Sequence, residues 1–229
     1  MDDTQNLFRS GELAGKYKPD REDYKAFFKQ LEKLSHQSCF LLIGWEPPRE
    51  LSQVNRTTNS VQTLQLTGLN IAAGREILKE YGLAEIENWE AIIDRYQGNP
   101  LWIKSVATLM QELGEGATEL LKNDSLLLPE DVKDSLQQQC DRLSEIEQQL
   151  FSLLAKESAP VNLAKLLESS GMPSSDLLNA LQSLLRRCLL EPQGSFYTLP
   201  PVLGELRSRT LSSDGKIGSA EVTDNGKSN

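Results

Sequence analysis

The chain has 229 residues, 38% hydrophobic and 25% charged, with 24 Lys and Arg against 33 Asp and Glu for a net charge of −9. That is the composition of an ordinary globular protein, with no run of about 18 uncharged apolar residues that could span a bilayer. The acidic balance argues against a phosphate-backbone binder, whose affinity comes from clustered cations releasing counterions.

The opening Met1-Asp2-Asp3-Thr4 lacks the basic, then apolar, layout of a secretory signal, so the reading is cytoplasmic. Residues 1–20 are polar, with Gly11, Gly15 and Pro19. From Glu22 to Leu34 the residues Tyr24, Phe27, Phe28, Leu31 and Leu34 fall at helical spacing. Cys39 to Ile43 is a continuous apolar run ahead of Gly44 and Pro47-Pro48, the pattern of a strand buried on both faces. Val61 to Leu66 reads as a second strand. Helix, strand, loop and strand in this order suggest the end of a parallel α/β sheet, because two strands are too few to stand alone.

From Asn70 the periodicity is helical over 71–81, 89–96 and 100–113, with Gly82 and Gly98 as stops. A further helix covers 130–143. Ser144-Glu145-Ile146-Glu147 has the S-x-x-E form of a capping box and opens a helix through Ala155. Helices over 162–168 and 174–187 follow, then a hairpin from Cys188 to Leu199 turning at Pro192-Gln193-Gly194. Helices followed by a two-stranded wing give the order of a winged-helix module. After Arg209 almost nothing is apolar, and a disordered tail is expected.

Four segments in this order carry a resemblance. His36 to Glu50, H-Q-S-C-F-L-L-I-G-W-E-P-P-R-E, resembles the fourth strand and sensor loop of bacterial NB-ARC proteins, often written S-C-L-L-L-T-S-R-E-K-P-R-E. Leu64 to Leu69 resembles the strand leading into their first helical subdomain. Tyr96 to Trp102, Y-Q-G-N-P-L-W, is similar to their G-x-P-L motif, and Thr198 to Leu206 falls where their winged-helix sensor motif, M-H-D in plant and animal relatives, would lie.

The resemblance implies the C-terminal part of a STAND-class signalling NTPase, in which bound ADP holds the domains closed and exchange for ATP with Mg²⁺ permits oligomerisation; bacterial members often continue into WD-type repeats. The expected fold is mainly α: a remnant of a parallel α/β P-loop sheet over 1–68, a helical lid subdomain over 69–125, a winged-helix subdomain over 126–207 and a disordered tail over 208–229. No G-x-x-x-x-G-K-[ST] loop occurs in the sequence. Asp2 and Asp3 stand where the family ends its Walker B strand, the alternative reading being an acidic, solvated terminus. Trp45 stands for the sensor arginine and Pro200 for the M-H-D histidine, while Gly98 and Pro100 retain the turn that packs on adenine. These are degenerate nucleotide-contact positions, and no cofactor is expected to bind firmly. The expected role is a non-catalytic, regulatory part acting through a protein partner or a P-loop half supplied separately.

Other chemistries are weaker. His36 is the one histidine and reads as a surface or capping residue, which leaves no triad. Glu46 beside Trp45 hints at an acid in an apolar setting but lacks a partner carboxylate at fixed spacing. Cys39, Cys140 and Cys188 show no metal-ligand spacing and read as reduced core residues. Trp89 and Trp102 lie on apolar helix faces, and the Leu126 to Leu128 run reads as interdomain packing. The competing function is a winged-helix DNA-binding regulator. Residues 126–207 carry seven Lys or Arg against eleven Asp or Glu, a net of −4, and Arg186-Arg187 reads as a favourable cation pair at a helix C-terminus.

Overall fold

The computed structural model describes residues 1–52, 61–83, 89–114, 127 and 129–206. The chain starts with a single turn of 3-10 helix, Thr4–Leu7. Phe8 then bridges Tyr17 in antiparallel sense, the Arg9 amide donating to the Lys16 carbonyl at 2.8 Å and the Lys18 amide to the Leu7 carbonyl at 2.9 Å. Helix α1, Asp23–Lys33, and the short α2, Arg49–Ser52, complete this N-terminal unit. Its apolar cluster is small: Leu7, Phe8, Tyr17 and Phe28, with Tyr24, Leu31, Leu42 and Leu51 packed against them.

Three helices follow, α3 (Ile71–Glu80), α4 (Trp89–Arg95) and α5 (Pro100–Leu113). The start of α5 is determined locally. The Asn99 side chain accepts from the amides of Leu101 and Trp102, and Pro100 occupies the first turn, where its missing N–H costs nothing. Gly98 is required twice over. Its φ is +64°, and a Cβ there would lie 2.2 Å from the Leu69 carbonyl oxygen.

The C-terminal part comprises α6 (Glu130–Cys140), α7 (Glu145–Leu154), β1 (Val161–Asn162), α8 (Leu163–Ser169), α9 (Ser174–Arg186), β2 (Glu191–Gln193) and β3 (Phe196–Thr198), then a last helix α10 over 201–206. The three short strands form an antiparallel sheet in the order β1-β3-β2, with Val161 and Pro192 both opposite Tyr197. Ser144 and Glu147 close the capping box at the head of α7. One continuous apolar core runs from Leu78, Trp89 and Ile103 through Val132, Leu150 and Leu177 to Val202 and Leu206, joining α3–α5 to everything after them.

The helices match the periodicity to within a few residues, and the molecule is mainly helical. The sheet differs from expectation. Cys39–Ile43 and 61–66 form no strand, and most of their apolar side chains are open to solvent, Leu41 at 71% and Leu66 at 84%, while Leu42 is half-buried. A strand buried on both faces needs neighbours at its edges and layers over its faces. Among the described residues, the backbone of 39–43 has only a short pairing with Met1 and Thr4, and Leu42 packs on the small N-terminal cluster. The sheet that is present is antiparallel, and its first strand, Val161–Asn162, is too short to leave a period-2 signature.

The cysteines form no disulfide but are not core residues: Cys39 and Cys188 are exposed and Cys140 half-buried. Trp89 and Trp102 are buried as their helix faces required, and His36 is exposed, with its Nε2 3.1 Å from the Leu31 carbonyl. Leu127 packs against the main core. Leu126, Leu128 and the tail over 208–229 lie outside the described residues.

Candidate functional site

The most unusual chemistry lies at the seam between the N-terminal unit and the C-terminal helices. Glu46 follows Trp45 in the loop ahead of α2 and is fully buried. Its Oε2 accepts from Arg187 Nη1 at 2.8 Å and from Arg142 Nη2 at 3.3 Å, while its Oε1 accepts from the Gly15 amide at 2.7 Å. Arg187 has every nitrogen engaged: Nε donates to Glu147 Oε1 at 3.0 Å and Nη2 to the Glu12 carbonyl at 2.7 Å. Glu147 Oε2 accepts from the amide and hydroxyl of Ser144. Arg142 Nη2 also reaches the Gln5 and Phe8 carbonyls.

Each position has a local cause. Arg187 continues the buried stripe of α9, Leu177, Ala180 and Leu184, at the same helical spacing, so its side chain is carried inward. One turn earlier on that face, Ser183 accepts from the Ala14 amide at 2.6 Å. Ser183 and Arg187, four residues apart, therefore grip the same loop over 12–14. Gly15 permits the close fit, with φ +78° and a would-be Cβ 2.5 Å from Arg49 Cγ. Arg49 Nε in turn donates to the Ala14 carbonyl.

Side chains of Glu46, Glu147 and Arg187 are wholly withdrawn from solvent. Desolvating such charges offsets most of their attraction, so a complete set adds little net stability, whereas removing one member costs about 3–5 kcal/mol by stranding the rest. The cluster offers no nucleophile and no acid with access to a substrate.

The expected nucleotide positions are placed as follows. Asp2 and Asp3 are exposed, and their carboxylates accept locally, from the Asp3 amide and the Gln5 side chain respectively. Trp45 is half-buried, with the Arg142 guanidinium 5.7 Å from its ring centre. Gly98 is buried, and exposed Pro100 opens α5. Pro200 is buried and takes up the N-terminus of α10, its carbonyl accepting from Leu203 and Gly204. As built, the seam does not fit a nucleotide's phosphates: Arg142 and Arg187 are already committed to Glu46 and Glu147. Arg187 is also not the dipole-facing surface cation that its sequence position suggested. Arg186 is half-buried, with burial, then nearby Arg49, lowering its pKa.

In the sequence Glu46 stands without a partner and Glu147 reads only as a cap. The missed signal was periodic. An arginine that extends the apolar stripe of a helix must bury its head, and a buried arginine requires carboxylates.

No family model matches the chain. An uncharacterized WD repeat-containing protein of Nostoc sp. is 33% identical over 218 residues, which cover 92% of this chain. The chain spans 17% of that protein's length. It is thus similar to one stretch of a much longer WD repeat-containing protein. Among the described residues, no helix is long and apolar enough to cross a membrane.

Proposed function

We propose that the chain is a regulatory, non-catalytic part of a nucleotide-dependent signalling switch of the STAND class, related to NB-ARC proteins and acting through protein–protein contacts. The observation that carries this reading is the backbone pairing at Met1. Its amino group donates to the Leu41 carbonyl and its carbonyl accepts from the Ile43 amide, both at 2.9 Å, a parallel pattern. In this reading Asp2-Asp3, which follow Met1, and Gly44-Trp45, which follow 39–43, correspond to the carboxyl ends of two parallel strands, where open parallel sheets place their ligand-binding groups.

Two further features support it. The order α7-β1-α8-α9-β2-β3 with sheet order β1-β3-β2 fits a winged-helix module. Similarity to a stretch of a WD repeat-containing protein fits a family whose members often carry such repeats. In this reading the chain supplies the lid and winged helix while another polypeptide segment holds the phosphates.

Calorimetric titration of ADP and ATP with Mg²⁺ tests it, first on the chain alone and then mixed with a P-loop domain of the NB-ARC type. The expected result is no micromolar binding alone and, in the mixture, a tighter affinity than the P-loop domain has by itself. Micromolar binding to the chain alone, or no effect on the P-loop domain, overturns the proposal.

A further inference from the structure

We infer that the Glu46–Arg187–Glu147–Arg142 cluster is a latch, and that the N-terminal unit opens from the C-terminal helices along it as an intact body while both remain folded. The two apolar clusters share no residue: one holds Leu7, Phe8, Tyr17 and Phe28, the other runs from Leu78 to Leu206. The bonds that cross between residues 1–52 and the C-terminal helices are polar. Gly11 donates its amide to the Arg142 carbonyl at 3.1 Å, and Ser10 its hydroxyl to the Asp141 carbonyl at 3.0 Å. Ala14 donates to Ser183, Arg187 to Glu12 and Glu46, and Arg142 to Gln5, Phe8 and Glu46.

This chemistry makes opening all-or-none. With the set complete, two arginines and two glutamates neutralise one another, and all four carboxylate oxygens and every Arg187 nitrogen are bonded, whereas Arg142 Nε is buried without a partner. Loss of a single member leaves a buried charge uncompensated, so partly broken states are disfavoured. Full separation admits water to all four charges, and the apolar cores stay closed. Interfaces between units that are polar and lack a shared core behave as boundaries of relative motion. The latch rests on side-chain geometry alone and does not depend on the nucleotide reading.

Amide hydrogen exchange on the full chain tests this, because the exchange sites separate opening from unfolding. The Gly11 and Ala14 amides are bonded across the seam, whereas those of Arg9 and Lys18 are bonded within the N-terminal unit and that of Ile103 within α5. In Glu46→Gln, which keeps the shape and removes the charge, Gly11 and Ala14 are expected to exchange at least tenfold faster, with Arg9, Lys18 and Ile103 unchanged. Ser183→Ala removes one crossing bond without touching a charge and serves if the first variant folds poorly; it should accelerate Ala14 and Gly11 together, by a smaller factor. The proposal is overturned if all five amides accelerate in parallel in either variant, which is global unfolding. It is equally overturned if Gly11 keeps its wild-type rate in both.

Discussion

Arg187 and Glu46, 141 residues apart in sequence, meet with Nη1 2.8 Å from Oε2 and both side chains fully buried. The planar fork matters as much as the charge, since one guanidinium serves Glu147, Glu46 and the Glu12 carbonyl at once. A lysine is a point charge and cannot span the three acceptors. Arg187→Lys should therefore lose at least one charge-assisted bond, about 1.5–3 kcal/mol of seam stability. Exchange at the Ala14 amide should accelerate about ten- to a hundredfold, each 1.4 kcal/mol being about a factor of ten. A wild-type rate in this variant would mean that charge alone holds the loop.

The turn before α5 should tolerate no side chain at position 98. Gly98→Ala imposes a left-handed conformation, about 1–2 kcal/mol for an L residue, and drives a Cβ into the Leu69 backbone. The Leu69 amide donates to the Gly98 carbonyl at 2.8 Å, so moving apart breaks that bond. Together these should cost at least about 2 kcal/mol, or about 4–8 °C in melting temperature for a chain of this size. Asn99→Ala, which removes only the cap, should cost about 1 kcal/mol. Scanning calorimetry on both variants decides the order.

Tyr17 gives the protein an alkaline weakness. Burial, then its hydrogen bond to the Glu50 carboxylate, raises its phenol pKa well above the ordinary value near 10. The folded state therefore holds the proton more tightly than the unfolded state. Stability from this group is complete below about pH 10 and falls as pH rises beyond it. Melting curves between pH 8 and 11 should show wild type losing stability faster than Tyr17→Phe above pH 10. Parallel curves would remove Tyr17 as the source.

Leu64 and Leu66 are 83% and 84% exposed, so little apolar area is withdrawn from water at either. Replacing both with serine should change the melting temperature by no more than about 2 °C, the shift expected for surface changes within about 0.5 kcal/mol. The same variant should self-associate less, because it removes part of an exposed apolar stretch. Light scattering against concentration measures the second effect. A large stability loss would show that these side chains are covered in solution.

Sequence alone determined the helices, because their signals are local. The apolar residues of α3, α5 and α9 recur every three or four positions, Asn99 and Pro100 begin α5, and Ser144 with Glu147 begins α7. Each needs no information beyond one turn of chain. Tertiary structure alone decided two things. The apolar run 39–43 reads as a buried strand, but burial depends on which neighbours cover it, and a periodic pattern does not contain them. Glu46, Glu147 and Arg187 each have an innocuous local reading as a loop acid, a cap and a helix-end cation. Folding brings them from three separate stretches into one place without water, where only mutual neutralisation makes any of them tolerable.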